Sequence, residues 1–308
     1  MINRRNIRVK VMQTLYTITT SETETKPGEA VKILQKHFEQ TRQLFIYLTY
    51  FLSEVANYAE TAAHNRASKH LTTYEDLHVS TKIAGNEIVL KILDDASFKE
   101  FLNKDKPQQL LDKELVKKIY HEFVETKEYK KYISAAQRDK KEEREILEFI
   151  LDKLLLNKEY FLSHIEDNFS NWEDDGEMIV LLLVNYLQKP GSYNFKDMIS
   201  EEKFNFAKTL LQTVQEKSEL LENFVIPKLK NWEPERIALL DMILMKMGVA
   251  EFLYFETIPP KVTINEYIDL AKEYSTSQSG QFVNGILDNI HKELVQQGKM
   301  HKVDFRKA

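Results

Sequence analysis

Glycine and proline are what this chain conspicuously lacks: eight and seven of them in 308 residues, about 5% against roughly 12% in average usage. Folds rich in β-structure turn often, and their turns are built largely from those two residues. A chain so poor in breakers and so rich in Leu, Glu and Lys is committed to helices, and the sequence predicts an all-α fold. Its length allows one large domain or two ordinary ones, with a substantial core in either case.

The formal net charge is −5 and the pI near 6.0, so any nucleic-acid contact has to come from a local basic patch rather than from the overall field. The absence of cysteine excludes disulfides, thiolate nucleophiles and Cys-based zinc sites, in keeping with a reducing compartment. The opening MINRRNIRVK has no apolar stretch of the signal-peptide kind. The longest uncharged apolar run, residues 179–184, is far short of the roughly 20 residues of a membrane helix. A soluble, cytoplasmic protein with no membrane partner is expected.

Hydrophobic spacing predicts a helix over 4–20, with Ile7, Val11, Leu15 and Ile18 in one stripe and Asn3 as N-cap. Residues 21–28 break it. Pro27 then opens a long helix to about residue 64, carrying Val31, Leu34, Phe38, Phe45, Leu48, Leu52, Val55 and Ala59. Further helices are expected over 75–102, 108–136, 141–168, 174–188 and 197–227, and the mixed-sign stretch 127–144 reads as a solvated helix face. Trp232 and Pro234 introduce an apolar helix to about Leu253, which Pro259-Pro260 ends. Thr263 and Glu266 have the spacing of a capping box ahead of a stripe of Ile264, Ile268 and Ala271. A last helix, 281–296, carries Phe282, Ile286, Ile290 and Leu294.

Arg4, Arg5, Arg8 and Lys10 put four positive charges at a helix start with no acidic residue before Glu22. Cations there oppose the helix dipole by some tenths of a kcal/mol each. Phosphates are their natural partner, since guanidinium forks and the free N–H groups of a helix start both address them. Gln13 and Tyr16, on later turns of the same helix, offer a hydrogen bond and a stacking face to an unpaired base; ordinary packing explains Tyr16 equally well. The glycine of Asn284-Gly285 costs its helix about 1 kcal/mol relative to Ala, so either a neighbouring helix or an external group approaches closely there. Glu75-x-x-His78 is half of a di-iron signature whose other half is missing. No phosphate-binding loop, dinucleotide fingerprint, HExxH or GxSxG occurs. The chain is read as a non-enzyme without cofactor or metal.

These residues carry a resemblance to the NusB family of bacterial transcription antitermination factors. Its motifs are Asn231-Trp232, Arg236-Ile237-Ala238, Asp241, the run from Ile258 to Glu266, and the run from Phe282 to Asp288. The amino end adds Arg4-Arg5, Arg8, Gln13 and Leu15-Tyr16. The resemblance covers residues 1–20 and 203–295 and implies a NusB-like helical bundle that binds single-stranded boxA RNA of ribosomal RNA transcripts. It does so with NusE, a small-subunit ribosomal protein, in support of the RNA polymerase elongation complex. By matching position, Arg4, Arg5, Arg8, Gln13, Tyr16, Phe282 and Asn284 become RNA contacts and Asp241 part of the NusE face; Lys10 of the basic cluster is added to the first set and Gln278 to the second.

The sequence departs from the family pattern at Asn6, Met242 and Lys246, where relatives carry arginine, and at Gln278, where many carry an acidic residue. The larger departure is the stretch 21–202, read as an inserted helical region between a basic helix, 1–20, and a carboxyl-terminal core, 203–296, with 297–308 as a basic tail. The insertion is expected to pack on the core and to extend the partner surface or dock on polymerase. Two other readings stand beside this one. A helical protein–protein adaptor without RNA binding would have no reason to keep four cations at a helix start. An RNA methyltransferase with a NusB-like domain would need a Gly-rich turn and catalytic cysteines that the chain lacks.

Overall fold

The computed structural model describes residues 2–21, 26–229 and 237–303. Asn231-Trp232, Pro234, Arg236 and the end of the basic tail lie outside them. Among the described residues all regular structure is helical, as the scarcity of breakers requires. In chain order the helices are α1 Arg4–Thr20, α2 Glu29–Ala67, α3 Tyr74–Leu77, α4 Glu87–Asp94, α5 Ala96–Asp105, α6 Lys113–Glu125, α7 Lys127–Ser134, α8 Lys140–Phe149, α9 Glu159–Asn168, α10 Trp172–Gln188, α11 Glu201–Glu216, α12 Ser218–Val225, α13 Leu239–Tyr254, α14 Pro260–Tyr274 and α15 Ser279–Gln296.

The chain divides into two compact units, Glu39–Ile199 and the described residues of Ile2–Phe38 with Ser200–Ala308. The unit Glu39–Ile199 holds an aromatic-rich core in which Phe45, Phe51, Phe98, Phe123, Phe161 and Phe195 are buried. Three long helices expected here are each divided, the first two because polar side chains take over backbone N–H groups inside the apolar pattern. Asn86 accepts from the N–H of Ile88 and Val89 at the start of α4, Asp95 ends α4 while accepting from Phe98 N–H of α5, and Thr126 accepts from Tyr129 N–H between α6 and α7. The run 141–168 passes through a π-helical turn, Leu156 N–H donating to Leu151 C=O at 2.9 Å, before α9. The stretch 127–144 is more than a solvated face. Glu143 is buried, accepts from Tyr132 and Arg138, and takes the Glu87 N–H at the start of α4.

In the other unit α13, α14 and α15 pack on one another, and α1 lies against α11 and α13. Gly248 permits this packing: a Cβ there would stand 2.8 Å from a Leu287 methyl. Phe38, at the end of the α2 segment in this unit, packs edge-on against Phe204 of α11. The double proline acts as expected, Pro259 as N-cap and Pro260 opening α14. The capping box does not form. Thr263 lies inside α14, buried, and donates its hydroxyl to Glu251 at 2.9 Å. The buried stripe of α14 is accordingly Thr263, Tyr267, Leu270 and Ala271 rather than the one starting at Ile264. Part of the basic tail is structural: Lys302 donates to the carbonyls of Glu251 and Phe255 and Val303 N–H to that of Glu256, covering the carboxyl end of α13.

Candidate nucleic-acid interface

Helix α1 starts at an effective cap, Asn3 accepting from Asn6 N–H at 2.8 Å. Lys203 holds the same end in place by donating to Ile2 C=O at 2.7 Å. The arginines of the first turns then take different courses. Arg4 is half exposed, 3.4 Å from Glu202, with its guanidinium over the Phe206 ring. Arg5, 36% exposed along its side chain, donates to Glu273 at 2.6 Å and lies 3.7 Å from Asp269. The anions that balance the first turn are thus supplied by α11 and α14.

Arg8 is not displayed. Its side chain is 2% exposed and grips Glu251, itself fully buried, through Nε at 2.7 Å and Nη2 at 3.0 Å, with Glu266 3.3 Å from Nη1. Thr263 and Tyr267 donate to the same carboxylate, at 2.9 and 2.8 Å. Four hydrogen bonds thus satisfy a charge that would otherwise be prohibitive to bury. Burial pulls the Arg8 pKa down, but the bonds and charge of Glu251 outweigh it and the value is raised. Tyr267 is pushed well up by burial and by Glu251. The expectation of a direct RNA contact at Arg8 gives way to a strut that fixes α1 against α13 and α14. Lys10, also 2% exposed, is likewise interior. The signal was present in the sequence: Arg8 shares the spacing of Val11 and Leu15, and Glu251 interrupts an apolar run.

Of the other expected RNA residues, Tyr16 is 46% exposed, Gln13 and Phe282 are half-buried and Asn284 is exposed. Gly285 keeps a helical backbone, and a Cβ added there meets nothing within 4 Å. Helix packing therefore does not account for this glycine, and open surface lies beside it. The expected NusE residues differ in the same way. Gln278 is exposed at the start of α15, whereas Asp241 is 6% exposed and accepts from Ser279 at 2.8 Å. The other Asp241 oxygen, Oδ1, is buried with no hydrogen-bond partner among the described residues.

The elements are connected at this end of the unit. Arg5 reaches the last turns of α14, the Lys272 stem there lies against Gly280 of α15, and Ser279 ties α15 to Asp241 of α13. No group of three or more His, Asp or Glu among the described residues is placed to hold a metal ion, and none of the described helices is long and apolar enough to cross a membrane.

The class this defines is an all-helical bundle that presents polar and aromatic side chains from α1 and from α15, the latter beside an exposed glycine. A family model described as the NusB family matches residues 169–292. Three proteins named transcription antitermination protein NusB are similar. That of Salinibacter ruber is 36% identical over 44% of this chain and 79% of its own length. That of Chloroherpeton thalassium is 40% identical over 32% and 45%, and that of Methylacidiphilum infernorum 43% identical over 27% and 58%. The matches to the last two thus span less than two thirds of those relatives. No solved structure matches the chain. The chain belongs to the NusB family.

Proposed function

We propose that this protein is a transcription antitermination factor that holds boxA-type single-stranded RNA of ribosomal RNA transcripts, together with NusE, and supports processive elongation by RNA polymerase in the cytoplasm. The RNA surface comprises Arg4, Arg5, Gln13 and Tyr16 of α1 with Phe282 and Asn284 of α15. Arg8 and Lys10 act from beneath, holding α1 in place. Gln278 faces NusE, and Asp241 positions it by anchoring Ser279.

The observation that carries the RNA reading is Gly285. It weakens its helix, no packing asks for it, and the exposed Asn284 adjoins it; a nucleic-acid ligand approaching the backbone accounts for all three. Phosphate contacts by Arg4 and Arg5 make the binding salt-dependent. The test is fluorescence anisotropy of labelled boxA-like RNA at two salt concentrations, with and without NusE, beside Arg4→Ala/Arg5→Ala. Salt-sensitive binding, strengthened by NusE and weakened in the variant, is expected. One observation favours the alternative of a helical adaptor without RNA: Arg4 and Arg5 already have carboxylate partners within the chain. NusE binding with no RNA binding under any of these conditions would establish that alternative.

A further inference from the structure

The unit Glu39–Ile199 contains none of the residues assigned above to RNA or NusE, yet it carries a cavity of about 180 Å³. That is below the roughly 300–1,000 Å³ of sites for drug-sized ligands and suits one ring system. One wall is a single face of α2, where Gln40, Gln43 and Tyr47 recur at helical spacing. The second is the segment after α5, with Pro107 and Leu110, and the third is the turn between α9 and α10, from Asn168 to Asn171.

Each wall is tied to α2. Arg42 holds Asp105 with two hydrogen bonds, at 3.1 and 3.2 Å, Tyr47 OH pairs with His164 of α9, and Asp175 of α10 accepts from both Thr41 and Asn171. The cavity is therefore preformed. Its lining combines the buried Phe169 and Pro107 and the 40% exposed Leu110, over a fully buried Tyr47, with the carboxamides of Gln40 and Gln43. These make no hydrogen bond with another described residue and so have donors and acceptors to offer. A cationic ligand finds no uncommitted carboxylate, since Asp105 belongs to Arg42. Lys106, exposed between the lining residues Asp105 and Pro107, has φ 48°, the one non-glycine residue with positive φ among those described. The residue is the C-cap of α5, its N–H donating to Leu102 C=O at 3.2 Å, and the left-handed conformation commonly ends a helix.

We propose that this cavity receives a single nucleobase, with the Gln40 and Gln43 carboxamides reading its hydrogen-bonding edge, Leu110 and the edge of Phe169 against its ring, and Lys106 serving the attached phosphate. Carboxamides match base edges because each offers a donor and an acceptor in one plane. The base comes either from a free nucleotide or from single-stranded RNA. The site does not depend on the antitermination reading.

The test is photolabelling of the full chain with 8-azidoadenosine and 4-thiouridine monophosphates, and with single-stranded RNA carrying the same bases, followed by peptide mapping. Label is expected on peptides spanning 40–47, 105–110 or 168–171, falling about tenfold or more in Gln40→Leu/Gln43→Leu. Labelling by the monophosphates identifies a free-nucleotide site; labelling by RNA alone identifies a pocket for one base of a strand. Lys106→Gly removes the strained conformation together with the cation, so weaker labelling in that variant cannot be attributed to unfolding. Arg4→Ala/Arg5→Ala leaves monophosphate labelling unchanged, which separates failure here from failure of the boxA reading. Absence of label from these peptides, or label unchanged in the Gln40→Leu/Gln43→Leu variant, overturns the proposal.

Discussion

Arg4, Arg5 and Arg8 look interchangeable in the sequence and occupy three environments in the fold. Removing one member of a buried ion pair costs about 3–5 kcal/mol, whereas an exposed pair contributes at most about 1 kcal/mol. Arg8→Ala, which strands the buried Glu251 carboxylate, is therefore expected to lower unfolding free energy by about 3–5 kcal/mol in urea titrations. Arg4→Ala changes it by less than about 0.5 kcal/mol and weakens boxA binding instead. Two glycines give a second contrast. Gly285 has helical geometry and open space, so Gly285→Ala is expected to stabilise by about 0.5–1 kcal/mol while reducing RNA affinity. Gly248→Ala would drive a methyl to 2.8 Å from Leu287 and is expected to destabilise by about 1–3 kcal/mol. Thermal melts beside RNA titrations decide both. A Gly285→Ala protein that is stabilised and binds RNA as tightly as the parent would remove the ligand explanation of that glycine.

At the scale of the helices, α1, α2 and α13–α15 were largely legible because their apolar periodicity is long and their ends carry Asn3, Pro27 or Pro259-Pro260. The divided helices were not. Asn86, Asp95 and Thr126 sit within otherwise continuous apolar patterns, and the choice between a solvated side chain and a cap is made by packing that local sequence does not encode. Thr263 shows the reverse error: a cap by spacing, it is a buried donor to Glu251 because the prolines start α14 earlier. Each cap is worth about 1 kcal/mol, so Asp95→Ala is expected to lower the denaturation midpoint by that equivalent. The α9 contact with α2 adds a pH dependence. Burial holds His164 below its ordinary value of 6.5, against the opposing pull of Asp112 and Asp167. The unfolded chain therefore takes up this proton first as pH falls. The stability contributed by neutral His164 is complete above about pH 6.5 and is lost as pH drops toward its folded value. Urea titrations of the parent and His164→Gln between pH 7.5 and 5.5 should show the parent losing more of its stability than the variant.

At the scale of the molecule, the motifs of the family were visible from residue order, whereas the family match already begins at residue 169, inside the stretch read as an insertion, and the unit boundary lay inside α2, where no breaker marks it. Phe38 and Phe204 are in ring contact, 6.1 Å between centroids, so the two ends of the unit Ile2–Phe38 with Ser200–Ala308 lie close enough for a short bridge. Replacing residues 39–199 by a short Gly/Ser linker is therefore expected to leave a folded helical protein that binds boxA RNA and has lost nucleotide photolabelling. A fully functional product in elongation assays would also exclude a polymerase-docking role for the inserted helices.

The Arg8–Glu251 pair joins residues 243 positions apart, which has a consequence for how the protein is made. Chains grow at roughly 5–20 residues per second, so after Arg8 leaves the ribosome roughly 12–50 seconds pass before its carboxylate partner follows it out. For most of that interval, until α11 and α13 follow, α1 carries Ile7, Val11 and Leu15 without the helices it packs against. The nascent chain thus holds a basic, apolar segment in waiting, the kind of segment that a ribosome-bound chaperone shields until its partners are made.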